Sequence, residues 1–296
     1  MQRVQLPSGV ELHYERAGSG TPLVFIHGAM GDWRSWEAQW EAFTAHFDCI
    51  AYSRRYSFPN RNEMASPDHS ALHEAEDLRQ MLDALGIERA ILVGSSYGGF
   101  TALAFAVSHP QRVVSLVAVE PPMMRYAQLS EAGRAARAAF RRDTIEPANA
   151  AFRAGNDELA GRIMTGGING ANGSANSPEQ MQRRLQNLRA MRMLALSTDE
   201  FPLLAPTQLA ALPMPVLLIS GENTPPVHRE IFNNVVQAMP HARAVRVPGA
   251  GHGVSREQAA VFNELVLGFV PRGTVIPDSI RDPWRRATMD AGSGPA

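Results

Sequence analysis

The fold is decided by residues 89–106, Arg89-Ala-Ile-Leu-Val-Gly-Ser-Ser-Tyr-Gly-Gly-Phe-Thr-Ala-Leu-Ala-Phe-Ala106. A short continuous apolar run, Ala90–Gly94, passes through a small-residue turn into a run at helical spacing. The turn has the pattern G-x-S-x-G, Gly94-Ser95-Ser96-Tyr97-Gly98, with Ser96 at its centre. A serine that must project its Oγ into a cleft needs a very tight strand-to-helix turn. The backbone crowds two residues to either side, where only small residues fit. The helix that follows points its N-terminal N–H groups at the place where negative charge develops in acyl transfer. Centring the turn on Ser95 would put Val93 and Tyr97 at those small positions, so Ser96 is the candidate nucleophile.

Working outward, the same alternation repeats. Val10–Arg16, Pro22–His27, Cys49–Tyr52, Val113–Val119, Val216–Ser220 and Ala244–Val247 read as strands, most of them apolar along their whole length. Such runs are expected of strands covered on both faces. Helical spacing predicts helices over Asp68–Leu85, Phe100–Val107, Val227–Met239 and Gln258–Phe269. The order implies an α/β fold, a mostly parallel sheet flanked by helices. Between Pro121 and Pro213 the alternation stops. Glu131–Arg142 and Gln180–Leu196 are helical in pattern, and Thr165–Ser177 reads as a mobile Gly/Asn/Ser loop. The expected organisation is a core of residues 1–120 and 214–271, a helical cap over 121–213 and a poorly ordered tail over 272–296.

Bulk composition narrows the chemistry. Lys and Arg number 28 against 29 Asp and Glu in 296 residues, so there is no basic excess for nucleic acid or an anionic membrane. Cys49 is the single cysteine, which excludes an intrachain disulfide; it reads as a buried strand residue. The N-terminus lacks the apolar stretch of a signal peptide and no run has transmembrane length, so a cytoplasmic protein is expected. No metal-ligand cluster or dinucleotide loop is evident, and no cofactor is expected. A homodimer is allowed.

A second loop, His27-Gly28-Ala29-Met30-Gly31, follows a buried strand. Acyl transfer requires two N–H donors at the developing oxyanion; Tyr97, after the nucleophile, and Ala29 are the candidates. His27 reads as structural. The general base is sought among nine histidines. His252 stands in Gly249-Ala-Gly-His-Gly253, between the last strand and a helix, where small neighbours allow it to reach a distant serine. Imidazole suits the role because it titrates near neutrality, so activity should rise with pH as the base loses its proton. His46, His69, His73, His109, His228 and His241 sit in polar or helical contexts and read as surface residues, and His13 lies on an early strand.

From the early strands through His252 to the last helix, the chain resembles the α/β-hydrolase superfamily. The resemblance rests on His27-Gly28, Gly94-x-Ser96-x-Gly98 and Gly251-His252, in that order. It implies an eight-stranded sheet, a cap over the site and a Ser–acid–His triad. The superfamily's commonest acid position, three residues after Gly221, holds Thr224, which carries no charge. A second position, used by some haloalkane dehalogenases and zearalenone-type lactonases, lies directly after the strand that follows the nucleophile helix. Here that residue is Glu120, a carboxylate that ends an apolar strand and so needs a partner. Glu120 is preferred over Glu222; their competing readings are an ion pair with Arg125 and an exposed loop carboxylate.

The expected activity is hydrolysis of a small-molecule carboxylic ester or lactone. A medium-sized, mostly apolar substrate is suggested by the methionines of the cap, with Met123, Met124, Met164 and Met191 as candidate contacts. Arg54 and Arg55 read as ion-pair residues before substrate ligands. Two other readings stay open. One is a carbon–carbon bond hydrolase acting on a dione; the other is a ligand-binding receptor that keeps the fold.

Overall fold

A computed structural model of the chain describes residues 1–64, 66, 68–170 and 177–271. The expected tail over 272–296 and residues 171–176 of the Gly/Asn/Ser stretch lie outside the described residues. The strands are β1 (Gln2–Gln5), β2 (Glu11–Ala17), β3 (Pro22–Ile26), β4 (Asp48–Tyr52), β5 (Ala90–Ser95), β6 (Val113–Val119), β7 (Val216–Gly221) and β8 (Arg243–Val247). They form one eight-stranded sheet in the order β1-β2-β4-β3-β5-β6-β7-β8. Pairs β1–β2 and β2–β4 are antiparallel; the rest are parallel. β1 escapes periodicity analysis because Gln-Arg-Val-Gln buries only Val4 at the sheet edge.

Alternate residues of each strand face opposite sides. Val24, Ile26, Leu92, Leu116 and Leu218 meet one helical layer, while Leu23, Phe25, Val93, Val117 and Ile219 meet the other, around Trp36, Phe43 and Phe262. Before β6 the chain forms α1 (Glu37–Thr44), α2 (Ala71–Ala84) and α3 (Tyr97–Ser108). α3 is buried along ten of its twelve residues, which explains its apolar composition on every side.

Between β6 and β7 lie only helices among the described residues: α4 (Glu131–Phe140), α5 (Glu146–Arg153), α6 (Asp157–Asn169), α7 (Pro178–Gln186), α8 (Leu188–Ala195) and α9 (Pro206–Ala210), with short 3-10 and π turns. Two expectations are corrected here. Thr165–Asn169 is the last turn of α6, anchored by buried Thr165 and Asn169, so the predicted loop begins later. The single helix predicted over Gln180–Leu196 is two helices. They break at buried Asn187, whose amide donates to Asp32 Oδ2 at 2.9 Å and accepts from the Phe58 N–H at 2.8 Å. Those tertiary bonds draw the side chain away from an uninterrupted helical path. The chain closes with α10 (Pro226–Ala238), α11 (Val254–Glu257) and α12 (Ala259–Phe269). No helix among the described residues is long and apolar enough to cross a membrane.

Candidate active site

Ser96 stands at the carboxyl end of central β5, where open α/β sheets place their ligands. Its backbone is left-handed, φ 52°, conformational strain of about 1–3 kcal/mol that the surrounding bonds hold in place. The Ser96 N–H donates to the Val119 carbonyl at 2.7 Å, and its own carbonyl caps the first turn of α3. Close approach explains the small flanking residues. A Cβ on Gly98 would lie 2.0 Å from the Ile26 carbonyl oxygen, and one on Gly94 would lie 2.3 Å from that of Gly98. The turn therefore admits only glycine at those positions, as the spacing predicts.

His252, delivered by the loop after β8, brings Nε2 to 3.0 Å from Ser96 Oγ. Its Nδ1 lies 2.6 Å from Glu120 Oε2. Glu120 follows β6 directly, at φ 43°, and is 1% exposed. Its second oxygen accepts from Ser220 Oγ at 2.7 Å and the Gly221 N–H at 2.8 Å. Thr224, in the slot where the superfamily usually keeps its acid, donates to Glu120 Oε2 at 2.7 Å. Burial alone would favour the protonated acid. The imidazole and these donors outweigh it and hold the carboxyl at about 2. Glu222 is exposed and, among the described residues, its carboxylate accepts from the Gly249 N–H at 3.2 Å, while Arg125 pairs with Asp199.

The other loop of the site is braced from behind. His27 is fully buried, accepts the Arg54 N–H on Nε2 at 2.9 Å and meets the Gly28 carbonyl through Nδ1 at 2.8 Å. Burial lowers this imidazole to about 3, so it is neutral at physiological pH. The Arg54 guanidinium, also buried, pairs with Glu74 and donates to the same Gly28 carbonyl at 3.0 Å. That carbonyl and the Ala29 N–H belong to one peptide group, so a fixed cation polarises the amide expected to serve as an oxyanion donor. Arg55 pairs with Asp77. Both arginines thus follow their ion-pair reading.

Two pockets each have Ser96 in their wall. A cleft of about 290 Å³ with mixed polar and apolar walls is lined by Ala29, Asp32, Arg184, His252 and Arg256 among others. Burial and the neighbouring Arg256 lower the Arg184 guanidinium to about 10. The second is a small apolar chamber of about 40 Å³ lined by Ala29, Tyr97, Phe140 and Phe201 among others. Met124, Met164 and Met191 line this chamber. Met123, expected beside them, does not; it is 2% exposed in the main core, its backbone tied to the Pro121 and Tyr126 turn.

Two histidines are misread by sequence context. His69 is buried against Glu74 at 2.9 Å. His228, 3% exposed on α10, lies in the chamber wall, stacked on His252 with centroids 4.1 Å apart. Both look like polar positions near helix starts, and only tertiary packing turns them inward. Glu200 and Arg184 are likewise site-lining groups that sequence spacing does not mark.

The chain belongs to the alpha/beta hydrolase fold family, whose sequence model matches residues 21–257. Among curated relatives, it is 27% identical over 271 residues to the putative carbamate hydrolase RutD of Caulobacter sp. strain K31, covering 88% of this chain and 94% of that protein. It is 29% identical over 283 residues to the 2-hydroxy-6-oxononadienedioate/2-hydroxy-6-oxononatrienedioate hydrolase of Paraburkholderia xenovorans strain LB400, covering 88% and 91%. Among solved structures, Est816, described as an N-acyl homoserine lactone degrading enzyme, superimposes with a TM-score of 0.71 at 23% identity, covering 91% of this chain and 100% of that one. That last likeness concerns the fold.

Proposed function

We propose that this chain is a serine hydrolase that cleaves a carboxylic ester or lactone of a medium-sized, mostly apolar substrate through an acyl-enzyme on Ser96. The observation that carries the proposal is the hydrogen-bond chain from Ser96 Oγ through His252 to Glu120, 3.0 and 2.6 Å long. His252 Nε2 takes the Ser96 proton as Oγ adds to the carbonyl carbon. The imidazolium so formed faces the Glu120 carboxylate, and the oxyanion is held by the N–H groups of Ala29 and Tyr97. Collapse expels the alcohol, which takes the proton from His252. Water, deprotonated by the same imidazole, then adds to the acyl-enzyme and releases the acid. The helices between β6 and β7 act as the cap. The apolar chamber takes the acyl side, and its methionines and aromatic side chains shift to admit groups larger than about 40 Å³.

A second reading has a specific support. Arg184 and Arg256 line the larger cleft, and the Paraburkholderia relative bears the name of a hydrolase of a doubly acidic oxo compound. Carbon–carbon cleavage of a dione carrying a carboxylate would use the same serine, but it also needs a proton delivered to a leaving carbon. The test is a panel of p-nitrophenyl esters and lactones beside a carboxylated dione, with Ser96→Ala as the floor. Ester or lactone turnover that vanishes in Ser96→Ala supports the first reading. Turnover of the dione alone moves the assignment to the second. No turnover together with no fluorophosphonate labelling of Ser96 points to a ligand-binding receptor.

A further inference from the structure

The imidazole of His228 lies in the wall of the apolar chamber that also contains Ser96, and it is 3% exposed. One face stacks on His252, with centroids 4.1 Å apart and planes 25° from parallel, and the edge of Phe140 approaches at 6.0 Å. The Ile168 backbone lies close enough to the ring to favour its protonation slightly, but neither ring nitrogen makes a hydrogen bond of good geometry among the described residues. Leaving a buried donor or acceptor unsatisfied costs about 1–3 kcal/mol. A phenylalanine would supply the same flat surface against His252 without that cost. Packing therefore accounts for a ring at this position and does not account for its nitrogens.

We propose that His228 is a specificity-determining residue, hydrogen-bonding a neutral polar group, a ketone or hydroxyl oxygen, carried on the otherwise apolar acyl side of the substrate. This rests on the serine-hydrolase reading above, which puts the acyl side in the chamber. The chemistry of the wall sets the class of group. Burial and the adjacent His252 hold His228 neutral, lowering it to about 3, so it offers one N–H donor and one acceptor nitrogen. Glu200 lines the same chamber and burial pushes its carboxyl up to about 8, which makes it a second neutral handle below that pH. With the methionines and aromatic rings around them, these groups favour an uncharged polar oxygen over a carboxylate in the chamber. Anionic groups belong in the other arm, beside Arg184 and Arg256. The stacking contact puts the recognised oxygen a few bonds from the carbonyl that Ser96 attacks.

The experiment compares p-nitrophenyl 4-oxopentanoate with p-nitrophenyl pentanoate. Wild-type protein is expected to favour the oxo ester at least about fivefold in kcat/KM, the worth of one recovered hydrogen bond. His228→Phe is expected to bring that ratio to about one; a ratio unchanged by the substitution, or a wild type with no preference, overturns the proposal. A second measurement needs no change at His228. In Ser96→Ala protein, the His228 ring nitrogens should shift in the NMR spectrum on adding methyl 4-oxopentanoate and not on adding methyl pentanoate. Equal responses to both esters refute recognition. Fluorophosphonate labelling of wild-type Ser96 reads the hydrolase assignment separately, because the NMR comparison requires no turnover.

Discussion

Replacing Glu120 with glutamine removes one negative charge behind the His252 imidazole with almost no change in volume. The carboxylate accepts from four donors: Ser220 Oγ and the Gly221 N–H on one oxygen, Thr224 Oγ1 and His252 Nδ1 on the other. An amide has one accepting oxygen, so whichever way it turns, its NH₂ faces two donors. The carboxyl is held at about 2 against an ordinary 4.5, a preference for the anion of about 3 kcal/mol, most of it owed to the imidazole and its neighbours. In the proposed mechanism the same interaction would stabilise the imidazolium formed as Ser96 attacks, and about 3 kcal/mol corresponds to roughly 10²-fold in rate. The expected result is that kcat of Glu120→Gln on a p-nitrophenyl ester falls by about 10² or more, measured against the Ser96→Ala floor. Glu222→Gln should stay near wild type, since its carboxylate is exposed and accepts one backbone N–H. The pair Glu120→Gln/Thr224→Asp should recover about tenfold over Glu120→Gln, because Thr224 Oγ1 lies 2.7 Å from the oxygen that holds His252. A Glu120→Gln enzyme within threefold of wild type refutes the reasoning, and loss on Glu222→Gln instead moves the acid there.

Acid sensitivity should trace in part to His228. Its folded-state value, about 3, lies below the ordinary 6.5, so between those values the unfolded chain binds a proton that the folded chain refuses. Stability from this group is complete above pH 6.5 and is lost as pH falls towards 3; urea titrations at pH 6 and pH 5 should show wild type losing about 1 kcal/mol more than His228→Phe. An equal loss in both would mean that His228 takes its proton in the folded protein. Arg54→Lys keeps a cation beside Glu74 but cannot span to the Gly28 carbonyl with a planar fork, so kcat should drop about tenfold or more while fluorescence-monitored melting stays cooperative. An unchanged kcat would separate Arg54 from the polarised Gly28–Ala29 peptide. Gly98→Ala places a Cβ 2.0 Å from the Ile26 carbonyl oxygen, and the protein should accumulate insoluble or with a far lower melting temperature; a soluble, active variant would show that the elbow can shift.

The core was readable because its signals are local. β5, the turn at Ser96 and α3 occupy one short stretch, and the glycines there answer to contacts that any such elbow must make. Glu120 could be picked out by a contradiction: an apolar strand ends on a charge, and Thr224 leaves the usual acid slot without one. His228 carried no such mark. It lies among polar residues at the start of α10, and nothing in Pro226–Ala238 says which way that helix turns its third residue. The break at Asn187 was hidden for the same reason, because its partners Asp32 and Phe58 are 155 and 129 residues away. Met123 and Met124 are neighbours of one type and both pack in the core, yet of the two Met124 also lines the chamber.

By itself, the sequence determined the inner strands of the sheet, the elbow and the identity of the residues able to form a triad, because these follow from apolar periodicity and steric demands within a few residues. Only the tertiary structure decided that Ser96, Glu120 and His252 meet within hydrogen-bond distance, that Thr224 donates to Glu120, and that His228 faces the chamber. Those facts depend on how β5, β6 and the loop after β8 are brought side by side. Such placement is set by the packing of the whole chain, and no local pattern encodes it.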